Sequence, residues 1–393
     1  MTADTSTVRS EQVSLRGAQI VGAARPVTIV VDDGRITAIG ENVQPVGRII
    51  DAEGRLTLPG LVDIHIHGAA GQSFEDAADE ASIKLILQHL ARRGVTSVVA
   101  SLASNDVATM AEIVRSLNRL RDRPPAGCAQ LLGVHLEGPF LAATQAGAHA
   151  PAALRAPEGE AVELLAAAGP AMVTLAPELP GAQEAIRSFA SVGAVVAAGH
   201  SNARGGDLAM AADAGLRHIT HLWSGQSGLV REGPWRVPGL LEESLASGGL
   251  TAEVIADGKH LPPVLLEIAR RCLPDRLIAV SDATPGAGMP EGWRYRLADV
   301  ECEVRDGVGV VIGADAFGGS TTTLEGMFAH LHRELGWPLE DVVPMVAGRP
   351  AQIMGRGRTK GALRVGADAD VLVVDDDLAP WLTLVRGQDV WPG

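Results

Sequence analysis

Apolar residues cluster in short blocks through the middle of the chain, at 61–67, 95–101, 131–137, 171–177, 194–200, 217–222, 251–257 and 277–282. Between many of them lie segments with helical periodicity, such as 81–93 and 206–214. Short apolar runs alternating with amphipathic helices predict repeated βα units and a parallel sheet, and eight of them fit a closed (β/α)8 TIM-like barrel of the α/β class. The two ends of the chain have another texture. Val27-Thr28-Ile29-Val30-Val31, the turn Asp32-Asp33-Gly34 and Arg35-Ile36-Thr37-Ala38-Ile39-Gly40 read as a hairpin. The run Ala369-Asp370-Val371-Leu372-Val373-Val374 near the C-terminus is similar. A small β-sandwich domain assembled from both ends, residues 1–58 and 348–393, is therefore expected to flank a barrel at 59–347. Residues 292–313 read as a hairpin inserted after the last barrel strand. The loop Gly318-Gly319-Ser320 reads first as the cap of a helix over 321–335, with anion binding through its backbone NH groups as the alternative.

Composition narrows the possibilities. The chain has 393 residues and is 46% hydrophobic, enough for a barrel of about 250 residues with a smaller partner. A formal charge of −14 argues against a nucleic-acid groove, which needs a basic stripe, but leaves room for a small anionic ligand held by local donors. Cys128, Cys272 and Cys302 are odd in number and lack CxxC spacing, so neither a disulfide framework nor a zinc knuckle is expected, and a reducing cytoplasm is the simplest setting. Residues 1–11 are polar, without the apolar core of a secretion signal, and no run is apolar enough to suggest a membrane span.

The chemistry lies where the predicted strands end. His65-Ile66-His67-Gly68 closes the first, and alternation of side chains puts His65 and His67 on one face. Alone, such a pair could be a polar strand end. Here His135-Leu136-Glu137 closes the third strand, Gly199-His200 the fifth, Thr220-His221 the sixth and Ser281-Asp282 the eighth. In a barrel these ends share the C-terminal mouth, where active sites form. Histidine and carboxylate ligands there suit a divalent cation: zinc first, with iron, manganese or cobalt as alternatives.

This pattern resembles the amidohydrolase superfamily, and within it the N-acetylglucosamine-6-phosphate deacetylase family. The resemblance rests on Pro59-Gly60-Leu61-Val62-Asp63-Ile64-His65-Ile66-His67-Gly68, His135-Leu136-Glu137-Gly138-Pro139-Phe140, Val173-Thr174-Leu175-Ala176-Pro177-Glu178, Ala198-Gly199-His200-Ser201-Asn202-Ala203, Thr220-His221-Leu222, Ile255-Ala256-Asp257-Gly258-Lys259-His260 and Ser281-Asp282-Ala283-Thr284, in the family's order. It implies that Glu137, His200 and His221 hold a principal metal, with His65 and His67 completing a second site bridged by Glu137, so one or two ions per chain. Lys84, Lys259 and Lys360, the only lysines, do not end a strand where a bridging carboxylated lysine would sit. Asp282 would be the catalytic acid–base. His149 would contact the sugar or its acetamide and stabilise the oxyanion, His260 would lie on the phosphate side, and Arg236 would reach the phosphate across a homodimer interface. Ser224-Gly225-Gln226 stands where the family carries an Asn-Ala-Met segment, leaving Ser224 and the Gly225 amide as phosphate donors.

The resemblance implies hydrolysis of an N-acetylhexosamine 6-phosphate to the amine and acetate, with a small amino-sugar phosphate as partner. Two alternatives stay open: the same metal chemistry on another acetamido sugar or cyclic amide, and a non-catalytic scaffold. A scaffold would typically lose ligands, whereas all five and Asp282 are present. His218 lies opposite in strand phase to His221, and His89, His330 and His332 sit in helix-like segments; these four read as structural or exposed.

Overall fold

The computed structural model describes residues 12–390; the polar start of the chain, 1–11, and the last three residues lie outside the described residues. Each of the eight apolar runs matches a barrel strand to within a few residues: β1 (Leu61–Ile66), β2 (Val95–Leu102), β3 (Gln130–Glu137), β4 (Met172–Leu175), β5 (Val195–Ala198), β6 (His218–Ile219), β7 (Thr251–Ile255) and β8 (Leu277–Val280). They pair in parallel in chain order, and β8 meets β1 through a bridge between Ile66 and Ala283. All eight residues of β2 are buried, as are the six of β1, because the barrel lumen covers one face and helices the other.

Seven helices connect the strands: α1 (Glu80–Arg92), α2 (Val107–Arg121), α3 (Gly159–Ala168), α4 (Ala182–Ser191), α5 (Asp207–Ala214), α6 (Leu240–Ala246) and α7 (Pro263–Cys272), and α8 (Leu324–Ala329) follows β8. Asp79 and Asp106 cap α1 and α2 by accepting from the first free amides. The apolar stripe of α1, including Ile83, Ile86, Leu87 and Leu90, packs onto the barrel, each such side chain contributing roughly 1.5–3 kcal/mol by leaving water.

Outside the barrel, Val13–Ile20, Val27–Asp32, Arg35–Gly40, Arg48–Asp51 and Leu56–Pro59 join Val371–Val374, Pro380–Val385 and Gln388–Asp389 in one sheet. Val13–Ile20 runs through both halves, and Val13, Leu15 and Ile29 share a separate core with Val371, Val373 and Leu384. Chain ends far apart in sequence thus bury each other.

Two local expectations change. The insertion is a three-stranded antiparallel sheet, Arg294–Leu297, Val300–Arg305 and Val308–Val311, because Asp306 and Gly307 add a second turn with positive φ. The Gly318-Gly319-Ser320 loop does not cap α8, whose N-cap residue is Thr323. Instead the Ser320 amide donates to the Asp282 carbonyl and the Thr284 amide to the Ser320 carbonyl, laying the loop along the end of β8.

All three cysteines are free thiols; Cys272 is exposed, while Cys128 and Cys302 are buried. Burial pushes the Cys302 thiol up to about 12 and raises that of Cys128. Thiolate is the reactive form, so at pH 8 the native protein should take up one equivalent of an alkylating reagent, at Cys272, and three after denaturation. Mass spectrometry of the labelled protein checks this.

Candidate active site

Six side chains from five strand ends converge at the C-terminal rim. Glu137, the last residue of β3, is their centre and is almost fully buried. Its Oε1 lies 2.9 Å from His221 Nε2, 3.1 Å from His200 Nε2 and 3.5 Å from His65 Nε2. Its Oε2 lies 3.2 Å from His67 Nε2 and 3.4 Å from His149 Nε2. Asp282 Oδ1 stands 3.5 Å from the Nε2 atoms of both His65 and His67.

The backbone is bent to achieve this. His200 and Asp282 have φ of 48° and 47°, a left-handed conformation that costs a non-glycine residue of the order of 1–3 kcal/mol. Main-chain bonds hold both bends: the Asp282 amide donates to His65 O at 2.9 Å, and His200 O accepts from the Ala142 amide at 2.9 Å. Gly225, at φ 59°, runs so close to His200 that a Cβ there would come within 2.6 Å of Nδ1.

At three of the imidazoles, what the ring offers to the centre follows from its outer nitrogen, whereas Nδ1 of His67 and of His221 is buried without a partner. His200 Nδ1 donates to the Gln145 carbonyl at 2.7 Å, leaving a lone pair on Nε2 facing Glu137. His65 Nδ1 donates to the Glu253 carboxylate at 3.0 Å, so its Nε2 also carries a lone pair, and that buried atom has no hydrogen-bond partner. His149 is the reverse: Nδ1 accepts from the Ser104 amide at 3.1 Å, so Nε2 bears the proton. Glu137, His149 and His200 lie close enough for one ion, but a protonated Nε2 cannot ligate, and His221 completes that group better.

Lone pairs facing carboxylate oxygens across about 3 Å repel unless positive charge stands between them. The donor set, one carboxylate with imidazoles, is that of a divalent-metal centre. Electrostatics without the ion point the same way. Burial would push His67 down, yet the Asp282 and Glu137 carboxylates raise it to about 9. Burial outweighs Glu137 at His149 and holds it down at about 4, so that ring is neutral at pH 7. At Glu137 burial acts upward, but the surrounding imidazoles bring its carboxyl well below the ordinary carboxylate range.

The site opens into a cavity of about 480 Å³, lined by His67, Glu137, His149, His200, His221 and Asp282 and by Trp223, Ser224, Gly225, His260 and Phe317. His260 is anchored by Asp257 at 2.7 Å and lies 4.6 Å from the Phe317 ring. Arg236 is not there. It stands exposed on a separate hairpin, Val230–Glu232 with Trp235–Val237, bonded to the Pro234 carbonyl. A cleft of about 510 Å³ between the small sheet and residues 124–130 contains none of the candidate residues, so volume does not mark the site.

Residues without an assigned role in the sequence reading also appear. His135, buried under His65 with ring centroids 4.6 Å apart, links Ser101 to Thr174, which meets Thr220. Glu75 accepts from the amides of Ala103 and Ala298 and ties the inserted sheet to the rim. Glu253 was hidden between the apolar residues Ala252 and Val254; its inward phase with Ile255 was the available signal.

Residues 56–390 match the model of the Amidohydrolase family. The chain belongs to that family. It is 35% identical over 352 residues to human N-acetylglucosamine-6-phosphate deacetylase, covering 87% of this chain and 85% of the relative. An N-acetylgalactosamine-6-phosphate deacetylase of Escherichia coli O157:H7 is 31% identical, over 91% of this chain and 93% of that one. Among solved structures, a mutant N-acetyl-D-glucosamine-6-phosphate deacetylase of Mycobacterium smegmatis in complex with N-acetyl-D-glucosamine-6-phosphate superposes with a TM-score of 0.87 at 29% identity, covering 97% of this chain and 99% of that one. As an amidohydrolase this protein is a metal-dependent enzyme that hydrolyses a carbon–nitrogen bond, and its rim is built for a divalent cation.

Divalent metal should therefore stabilise the fold, since a ligand at a hundred times its Kd adds about 2.7 kcal/mol. Thermal melts of chelator-treated protein with and without added Zn2+ should differ by several degrees, and the difference should vanish in Glu137→Ala.

Proposed function

We propose that this amidohydrolase removes the acetyl group of N-acetylglucosamine 6-phosphate, giving glucosamine 6-phosphate and acetate. The observation that carries the reading is the meeting of five imidazole Nε2 atoms on the two oxygens of Glu137, with the Asp282 carboxylate beside them. The deacetylase relatives support the substrate. The galactosamine relative supports a second reading in which the same chemistry acts on the C4 epimer. In this reading residues 59–347 form the catalytic barrel, and 1–58 with 348–393 form the small domain.

Glu137, His200 and His221 would hold one cation, and His65 and His67 with Glu137 a second; zinc suits these nitrogens and oxygens best. When bound, such an ion lowers the pKa of a coordinated water towards about 7 and polarises a carbonyl. The chain's own groups do the rest. Asp282 accepts the proton of the attacking water as its oxygen bonds to the acetamide carbon, and delivers that proton to nitrogen as the C–N bond breaks. Amine and acetate are the products. His149, neutral with its proton on Nε2, donates to the oxyanion that develops on the carbonyl oxygen. Trp223 and Phe317 wall the sugar, with Ser224, the Gly225 amide and His260 towards its phosphate.

No lysine or arginine lines the cavity among the described residues. A phosphate dianion in it therefore needs a cation from elsewhere, and Arg236 of a second copy is the one proposed, which makes a homodimer the working form. The guanidinium fork suits phosphate. The odd cysteine count suits a cytoplasmic home, and no helix among the described residues is long and apolar enough to cross a membrane.

Acetate release from N-acetylglucosamine and N-acetylgalactosamine, each with and without 6-phosphate, tests the substrate. Turnover confined to a phosphorylated sugar is expected; equal rates without phosphate would defeat the reading. Asp282→Asn should lower kcat by about 100- to 10,000-fold with little change in KM, as loss of a general acid–base does. Arg236→Ala should raise KM for the phosphorylated sugar and leave kcat near wild type, and an unchanged KM would remove Arg236 from the site.

A further inference from the structure

Glu253 is fully buried on β7, away from water and from the small-molecule cavity. The proposed mechanism gives it no task. A carboxylate taken out of water is expensive unless each oxygen is matched by donors, and here both are. Oε2 accepts from His65 Nδ1 at 3.0 Å and from the His221 main-chain amide at 3.2 Å, while Oε1 accepts from His218 Nε2 at 2.9 Å. His218 is itself fixed through Nδ1, 2.6 Å from Thr251 Oγ1.

The arrangement is directional. An imidazole can carry its proton on either nitrogen, and only the bare one can ligate. With the proton of Nδ1 committed to Glu253, the lone pair of His65 is on Nε2, the buried atom that faces Glu137 and Asp282 and lacks a hydrogen-bond partner. The same oxygen holds the His221 amide, so one carboxylate sets both a side chain on β1 and the backbone from which a second candidate ligand projects. His218 engages the other oxygen and keeps the carboxylate from rotating away. If joining β6 to β7 were the only requirement, an uncharged pair would serve at lower desolvation cost.

We propose that Glu253 is a positioning residue for the metal centre: it fixes the tautomer and ring orientation of His65 and the backbone of His221, with His218 as its counter-anchor. This rests on reading the rim as a divalent-metal site. Outer hydrogen bonds of this kind orient a ligand and raise its basicity, and their loss typically weakens metal binding about tenfold to a hundredfold.

Two measurements test it. In spectra of the metal-free protein with 15N-labelled histidine, the signals lost in His65→Gln identify His65. An exchange-protected proton on its Nδ1 is expected, and an Nδ1 without a proton overturns the proposal. Zn2+ affinity, measured by competition with a chromophoric chelator, should fall about tenfold to a hundredfold in Glu253→Ala and about tenfold in Glu253→Gln. His218→Gln, whose amide still donates to Oε1, should stay near wild type. Zinc-saturated Glu253→Gln should keep the wild-type KM. A folded Glu253→Gln or Glu253→Ala with wild-type Zn2+ affinity would reduce Glu253 to packing. A wild-type protein that binds no Zn2+ would instead defeat the metal reading, and the Nδ1 proton would still decide the contact.

Discussion

The arrangement at the rim is governed by one electrostatic conflict: several imidazole lone pairs and two carboxylates are brought together in a space from which water is nearly excluded. Glu137 Oε1 alone has three Nε2 atoms within 3.5 Å. Burying such a cluster costs each polar atom its hydration, and in a medium less polar than water any lone pair left facing a carboxylate is repelled by it. It persists because a large apolar barrel core, continuous from Leu61 through Val280 to Val346, supplies the folding free energy independently. Strained backbone at His200 and Asp282 belongs to the same picture. The barrel holds the rim in a conformation that the rim residues would not choose.

Identical side chains acquire different roles there through what lies behind them. His65 has a carboxylate at its outer nitrogen, His200 a peptide carbonyl and His149 a peptide amide. Carboxylate and carbonyl accept, so the inner nitrogen becomes a base suited to a cation; the amide donates, so the inner nitrogen becomes a proton donor suited to an oxyanion. Two chemistries thus arise from one residue type within about 5 Å, the His149 and His200 rings being 4.7 Å apart at the centroids. Neither role is a property of histidine itself.

That dependence explains what could be read from residues alone. Barrel strands were legible because burial on both faces leaves near-continuous apolar runs, and the rim histidines because they follow such runs in the right phase. The inserted sheet was undercounted because Val300–Arg305 carries Glu301, Glu303 and Arg305 outward and so resembles a polar connection. The inward phase of Glu253 could be read, but its role and that of His218 were not legible, since they lie in a contact with His65, 188 residues from Glu253 in the chain. The proton position on His149 is equally remote, fixed by the amide of Ser104, 45 residues away. Local pattern specifies which elements form; pairings across the barrel decide what their polar residues do.

The cavity extends this logic from the reacting centre to selectivity. Its walls combine rim polar groups with Trp223, Leu261, Leu297 and Phe317, a surface suited to the faces of a sugar ring but without a fixed cation among the described residues. Arg236 meanwhile projects from a hairpin beside solvent-exposed Leu229, Val230 and Trp235, the last 74% exposed. Adjacent large apolar side chains in water are disfavoured and mark contact surfaces. If a second copy covers this hairpin, the same contact that removes Trp235 from water carries a guanidinium towards a neighbouring mouth. Recognition of a phosphorylated sugar and assembly of the protein then become one equilibrium, in which a dianionic ligand strengthens the interface by as much free energy as the interface adds to its binding.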